Sequence, residues 1–203
     1  MHKIGVLASG RGSNLQSIMD NIADGNLPLE IAVVISDKPG AKALSRAEEY
    51  CIPAVTIDRK ACKDKAEFEA KIDAALREHG VELVVLAGFM RILSGWFVKR
   101  WPLKLINIHP ALLPSFTGLD AQGQAVAYGV KVSGCTVHFV DEGTDTGPII
   151  LQKVVPVEDS DTGETLADRI LIQEHRALPE ALKLWAEGRL QVQGRKVRII
   201  NKK

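Results

Sequence analysis

Asn107 and His109 stand two residues apart in "INIHPALLPSF" (106–116), where an apolar run ends against two prolines. In extended backbone, residues two apart point the same way. The pair could therefore offer a neutral and a titratable hydrogen-bond donor to one reacting atom. Such a pair can stabilise an oxyanion and act as a general acid. The alternative is a histidine that only makes structural hydrogen bonds. Pro110 and Pro114 fix the backbone beyond it, and Leu113–Pro114 is a candidate for a cis bond. A second cluster, "DEGTDTGP" (141–148), sets acids at 141, 142 and 145 among glycines. From there a carboxylate could approach His109 and favour the imidazolium. Read alone, the same segment is a solvated acidic loop.

"ASGRGSNL" (8–15) lies at a strand-to-helix turn, where glycines let backbone approach a ligand and free helix amides attract phosphate. It lacks the third glycine of the dinucleotide pattern, and no acid ends the second strand in the expected way, although Asp37 is near. One monophosphate fits better than a pyrophosphate. The competing reading is a tight turn with Ser13 or Asn14 as helix cap. His138, in "TVHFV", reads as a partly buried, hydrogen-bonded strand residue rather than a second catalyst. Glu174 and His175 form a polar couple on an apolar helix that either reaches into a site or borders it. His2 and His79 read as surface positions.

These residues need a scaffold. "KIGVLA", "EIAVVIS", "PAVTI", "ELVVLAG" and "KLINI" are short apolar runs expected as strands buried on both faces of a parallel sheet. Helices are predicted over Ser13–Ala23, Ala41–Tyr50 and Lys65–His79, the last with Phe68, Ile72, Ala75 and Leu76 at helical spacing. This alternation predicts an α/β, doubly wound, mostly parallel central sheet with flanking helices. "KVSGCTVHFVDE" and "PIILQKVVPV" then predict a C-terminal antiparallel strand pair. A long helix follows, in one piece or two, starting near Thr162, with Pro179 as a kink and Gly188 as a stop. The tail "GRKVRIINKK" reads as a short edge strand with a frayed basic end. One domain over residues 1–203 is expected, with a phosphate-binding half at 1–100 and a catalytic half at 101–203.

Composition limits the partners. With 26 Lys and Arg against 25 Asp and Glu in 203 residues, there is no broad electrostatic footprint for nucleic acid. Three cysteines without a CxxC pair argue against a disulfide framework and a structural zinc site. No stretch reaches the roughly 18 apolar residues of a membrane span, and no signal peptide opens the chain, so the cytoplasm is the expected compartment. Monomer and homodimer both stay open.

"SGRGSNL", "AGFMRIL", "NIHPALLPSF", "GCTVHFVDEGTDTGPIILQ" and "QEH" occur in the order seen in one family. Over essentially its whole length the chain resembles the glycinamide ribonucleotide transformylases of the folate-dependent formyltransferase superfamily. The resemblance implies transfer of a formyl group from 10-formyltetrahydrofolate to the amine of glycinamide ribonucleotide. The products would be formylglycinamide ribonucleotide and tetrahydrofolate, in de novo purine biosynthesis, with no metal. It implies a catalytic trio of Asn107, His109 and Asp145. It also implies phosphate binding by Gly12, Ser13 and Asn14 beside Arg11, and Glu174 at the glycinamide amine. The pterin would lie along Met90, Arg91, Ile92 and Leu93 and along Val140, Asp141 and the loop to 145, with Asn107 beside it and Lys65 near the folate tail. "GLDAQGQA" (118–125) departs from many relatives at Asp120 and Gly123. Methionyl-tRNA formyltransferase would need a further C-terminal lobe and a basic surface. Formyltetrahydrofolate deformylase would use water as acceptor and usually carries an added N-terminal domain. A non-catalytic nucleotide-binding module is the rival from another class.

Overall fold

The computed structural model describes residues 1–201, and the chain divides into two compact units at Ile106/Asn107. The expected basic end at Lys202 and Lys203 lies outside the described residues.

In the first unit the strands are β1 (His2–Leu7), β2 (Leu29–Ser36), β3 (Ala54–Thr56) and β4 (Leu83–Leu86), in the order β3-β2-β1-β4. All their pairings are parallel. Every residue of β4 is buried, as is nearly all of β2, which explains their continuous apolar sequences. The helices are α1 (Ser13–Ala23), α2 (Lys42–Glu49), α3 (Lys65–Glu78) and α4 (Gly95–Arg100). Phe68, Ile72 and Leu76 of α3 are buried, each contributing about 1.5–3 kcal/mol. Asp64 caps α3 through the Glu67 amide. The Asp73 carboxylate joins α3 to α4, accepting from Trp101 Nε1 at 3.0 Å, Arg77 Nε at 3.0 Å and Arg100 Nη2 at 2.7 Å.

β5 (Leu105–His109) carries the chain into the second unit. There the order is β5-β6-β7-β9-β8, with β6 (Val132–Phe139) and β7 (Ile149–Pro156) antiparallel, as expected. Helix α5 spans Ala121–Tyr128, and α6 runs unbroken from Gly163 to Ala186 with Pro179 inside it. Thr162 and Thr165 close a reciprocal capping box at the start of α6, and Gly188 follows its end with φ +65°. β8 (Leu190–Gln193) and β9 (Lys196–Ile199) form a hairpin. The tail strand is not the edge: β9 lies between β7 and β8, because the preceding "LQVQ" pairs on its outer side.

α5 explains the two departures at 120 and 123. Asp120 is its N-cap and accepts from the Gly123 amide at 3.3 Å. A Cβ on residue 123 would lie 2.3 Å from an Asp120 carboxylate oxygen. The two departures therefore form one local device, a carboxylate cap occupying the space that glycine leaves open.

Candidate active site

Strand order in the first unit makes β1 and β4 neighbours while successive connections leave them in opposite directions, which is where open α/β sheets bind ligands. The two loops that leave these strands carry candidate residues. Gly12 opens α1 in a left-handed conformation, and no side-chain hydrogen bond caps that helix, so neither Ser13 nor Asn14 is spent as an N-cap. A helix start without a side-chain cap can offer its first-turn amides to an anion. Carbonyls of the same loop are taken by α2: Ala43 N donates to Gly10 O at 3.1 Å, and Arg46 Nε donates to Arg11 O at 3.0 Å. Arg46 was not singled out by sequence, since a helical arginine 35 residues from Arg11 carries no local signal.

Met90, Arg91, Ile92 and Leu93 follow β4, with Met90 and Ile92 largely exposed and Leu93 buried. Ser9 links this segment to the first loop, donating its amide to Gly88 O at 3.0 Å and accepting from Met90 N at 2.9 Å. Asp37, the residue after β2, is buried and pairs with Arg91 at 2.7 Å. An acid does therefore end the second strand, but its carboxylate is engaged by an arginine. Glu69, also buried, accepts from the Ser94 amide at 2.7 Å and from the Ser94 hydroxyl, and Lys65 lies 3.8 Å from it. Lys65, Arg91 and Ile92 line a cavity of about 160 Å³ together with Arg59, Phe68 and Glu69. A larger cavity, about 660 Å³, opens near the starts of β1 and β2 and is lined by none of the candidate residues.

In the second unit, one strand and one loop bring the candidate trio together. Asn107 and His109 lie on β5, and His109 is 4% exposed. Asp145 reaches them from the β6–β7 loop. A Cβ at Gly147 would lie 1.7 Å from the Phe139 carbonyl oxygen, so only glycine lets the loop press so close to β6. Asp145 itself has φ +56°, a conformation that Asp tolerates better than most residues. Its Oδ2 lies 3.4 Å from His109 Nδ1 and accepts from Gly118 N at 2.8 Å. His109 Nε2 donates to the Phe116 carbonyl at 2.8 Å. The solvated-loop reading of Asp145 does not hold, since its side chain is only 12% exposed.

His138 completes the cluster. It is fully enclosed rather than partly buried, 1% exposed, with Nε2 at 3.2 Å from Asn107 Nδ2 and 3.7 Å from Asp145 Oδ1. Burial pushes its imidazole below the ordinary histidine range, outweighing the Phe139 carbonyl and the Asp145 charge. The candidate Leu113–Pro114 bond is cis. The Leu113 amide donates to Thr136 Oγ1 at 3.0 Å, tying the proline turn to β6. Glu174 is buried on α6, close enough to Cys135 that its charge, after burial, helps push that thiol up to about 12. Val140 and Asp141 begin the loop after β6, and Asp141 accepts from Thr146 Oγ1 at 2.6 Å. His2 is exposed; His79 is half-buried and its Nδ1 lies 2.8 Å from Ala75 O.

All three cysteines are free thiols, and among the described residues no group of three or more His, Cys, Asp or Glu could hold a metal ion. No helix among them is long and apolar enough to cross a membrane. An amide, an imidazole and a carboxylate around one point, with anion-accepting helix amides elsewhere, suit acyl transfer to an amine of an anionic substrate.

Known proteins agree with that chemistry. Residues 2–182 match the formyl transferase family model. The phosphoribosylglycinamide formyltransferase of Bacillus subtilis is 46% identical over 183 residues, covering 90% of this chain and 94% of that protein. The human trifunctional purine biosynthetic protein adenosine-3 is 48% identical over 190 residues, 94% of this chain. The chain spans about a fifth of the length of the trifunctional relatives it matches. The crystal structure of glycinamide ribonucleotide transformylase 1 from Symbiobacterium toebii superposes with a TM-score of 0.97 at 51% identity, covering 99% of this chain and 95% of that one. The chain belongs to the formyl transferase family.

Proposed function

We propose that this formyl transferase moves the formyl group of 10-formyltetrahydrofolate to the amine of glycinamide ribonucleotide, giving formylglycinamide ribonucleotide and tetrahydrofolate. The observation that carries the reading is the contact of Asp145 with His109, beside Asn107, on a loop that only Gly147 allows to come so close. The substrate amine attacks the formyl carbon, and the carbonyl oxygen becomes an oxyanion. Asn107 Nδ2–H and protonated His109 stabilise it, His109 exchanging the Phe116 carbonyl for the new acceptor. Hydrogen bonds of this kind often tighten only in the loaded complex. As the tetrahedral species collapses, the carbon–nitrogen bond to the folate breaks. The proton lost by the attacking amine reaches the departing folate nitrogen by way of Asp145 and His109, so the exchange is neutral overall.

Gly12, Ser13 and Asn14, with Arg11 beside them, would hold the substrate phosphate on the uncapped start of α1. Glu174 would meet the glycinamide amine. The pterin would lie along 90–93 and along Val140 and Asp141, next to Asn107, with Lys65 at the anionic folate tail. Three free thiols suit a reducing compartment, and we place the enzyme in the cytoplasm, as a monomer or homodimer acting on small molecules. Formyl folate should lose its formyl group only when glycinamide ribonucleotide is present, with one formylated product per tetrahydrofolate. Loss of formyl to water without the acceptor would make the protein a deformylase, and no turnover at all would leave a binding module.

A further inference from the structure

His138 plays no part in the chemistry set out above, yet it touches the trio and its proton can be located from its neighbours. Nδ1 lies 2.8 Å from the Phe139 carbonyl oxygen, which can only accept, so Nδ1 carries a hydrogen. Burial keeps the ring neutral against the pull of the Phe139 carbonyl, Asp145 and Asp141, and the neighbouring His109 works in the same direction as burial. Nε2 is therefore a bare lone pair. It lies 3.2 Å from the Asn107 side-chain nitrogen, a contact that is favourable only when the Asn107 amino group donates. The two ends of the Asn107 amide, otherwise alike in shape, are told apart by this acceptor. One N–H is used on His138, and the second is left for an oxygen taking on negative charge. With the amide reversed, its carbonyl would face the His138 lone pair and one fewer donor would face the oxyanion. A charged His138 would have the opposite effect, donating toward the Asp145 oxygen 3.7 Å away and competing with His109 for that carboxylate.

We propose that His138 is a positioning residue. Held in the Nδ1–H form by the Phe139 carbonyl, it orients the Asn107 amide so that an N–H faces the formyl oxygen. The proposal rests on the formyl-transfer reading, but part of its test does not. In nitrogen-15 NMR of the wild-type protein at neutral pH, His138 should show protonated Nδ1 and bare Nε2; an imidazolium or the Nε2–H tautomer would overturn the proposal whatever the activity. Kinetically, His138→Leu removes the acceptor, whereas His138→Gln can return an oxygen near the position of Nε2. His138→Leu should lower kcat by about 100-fold, the usual loss of one oxyanion donor, with both KM values within about two-fold. His138→Gln should recover most of that loss. In an Asn107→Ala background, His138→Leu should cost little more. Equal losses for Leu and Gln in folded variants, or full additivity with Asn107→Ala, would overturn it. Wild-type protein with no acceptor-dependent turnover would instead sink the formyl-transfer reading, leaving the tautomer measurement to decide the geometry.

Discussion

Asp145 combines a carboxylate with a left-handed backbone, and the two properties can be separated by substitution. Asn tolerates the φ of +56° about as well as Asp and keeps an oxygen for the Gly118 amide, but it carries no charge. Asp145→Asn should therefore leave the melting temperature within a few degrees of wild type while lowering kcat at least about 100-fold, the range of a lost general acid–base partner. Unchanged turnover would remove Asp145 from the chemistry, and a collapse in stability would make it a structural residue. Asn107, His109 and Asp145 were legible in sequence because two-residue spacing at a strand end and an acid between glycines are local patterns. His138 was not. Its neighbours Val137 and Phe139 are ordinary buried strand residues, and the irregularity in pairing between Val137 and His138 depends on β7, which sequence does not register.

At the level of elements, the start of α1 depends on α2 more than on its own sequence. Arg46 holds the Arg11 carbonyl at 3.0 Å and the Gln16 amide oxygen at 2.6 Å, so α2 ties down the loop that enters α1. Arg46→Ala removes two charge-assisted hydrogen bonds while touching no proposed substrate atom. It should raise the KM for glycinamide ribonucleotide about ten-fold, with kcat and the folate KM nearly unchanged. If both KM values rise together, the two loops joined by Ser9 loosen as one body, and Arg46 is no specific support of the phosphate loop. The long apolar strands and α1, α2, α3 and α6 could be read from periodicity and caps. The six-residue α4 could not, being too short for a period to emerge. α5 escaped for another reason: its eight residues, with a glycine inside and only Ala121 and Ala125 buried, form no apolar stripe.

For the molecule as a whole, a net charge of +1 leaves little global repulsion, so the dependence of stability on pH falls to individual buried groups. His138 titrates below the ordinary histidine range in the native protein, so the unfolded chain takes its proton first and stability declines as pH falls below about 6.5. Asp73 adds a second decline below the ordinary carboxylate range: burial opposes its charge, but the hydrogen bonds from Arg100, Arg77 and Trp101 prevail and lower its pKa. On the alkaline side the sign reverses. Burial, helped by the charge of Glu174, pushes the Cys135 thiol from 9.0 to about 12. Above pH 9 the unfolded chain loses this proton while the native protein keeps it, so stability must fall as pH rises. The slope can reach about 1.4 kcal/mol per pH unit for one group. Between pH 9 and 10 the raised lysines, Lys71 and Lys131, contribute little, because their unfolded forms still hold most of their protons. Denaturant midpoints measured across that window should therefore decline for the wild type. They should be nearly flat for Cys135→Ala, whatever constant loss the missing sulfur causes at every pH. An equal decline in the variant would mean that the Cys135 thiolate is accommodated in the native protein, and that Glu174 does not confront it at close range.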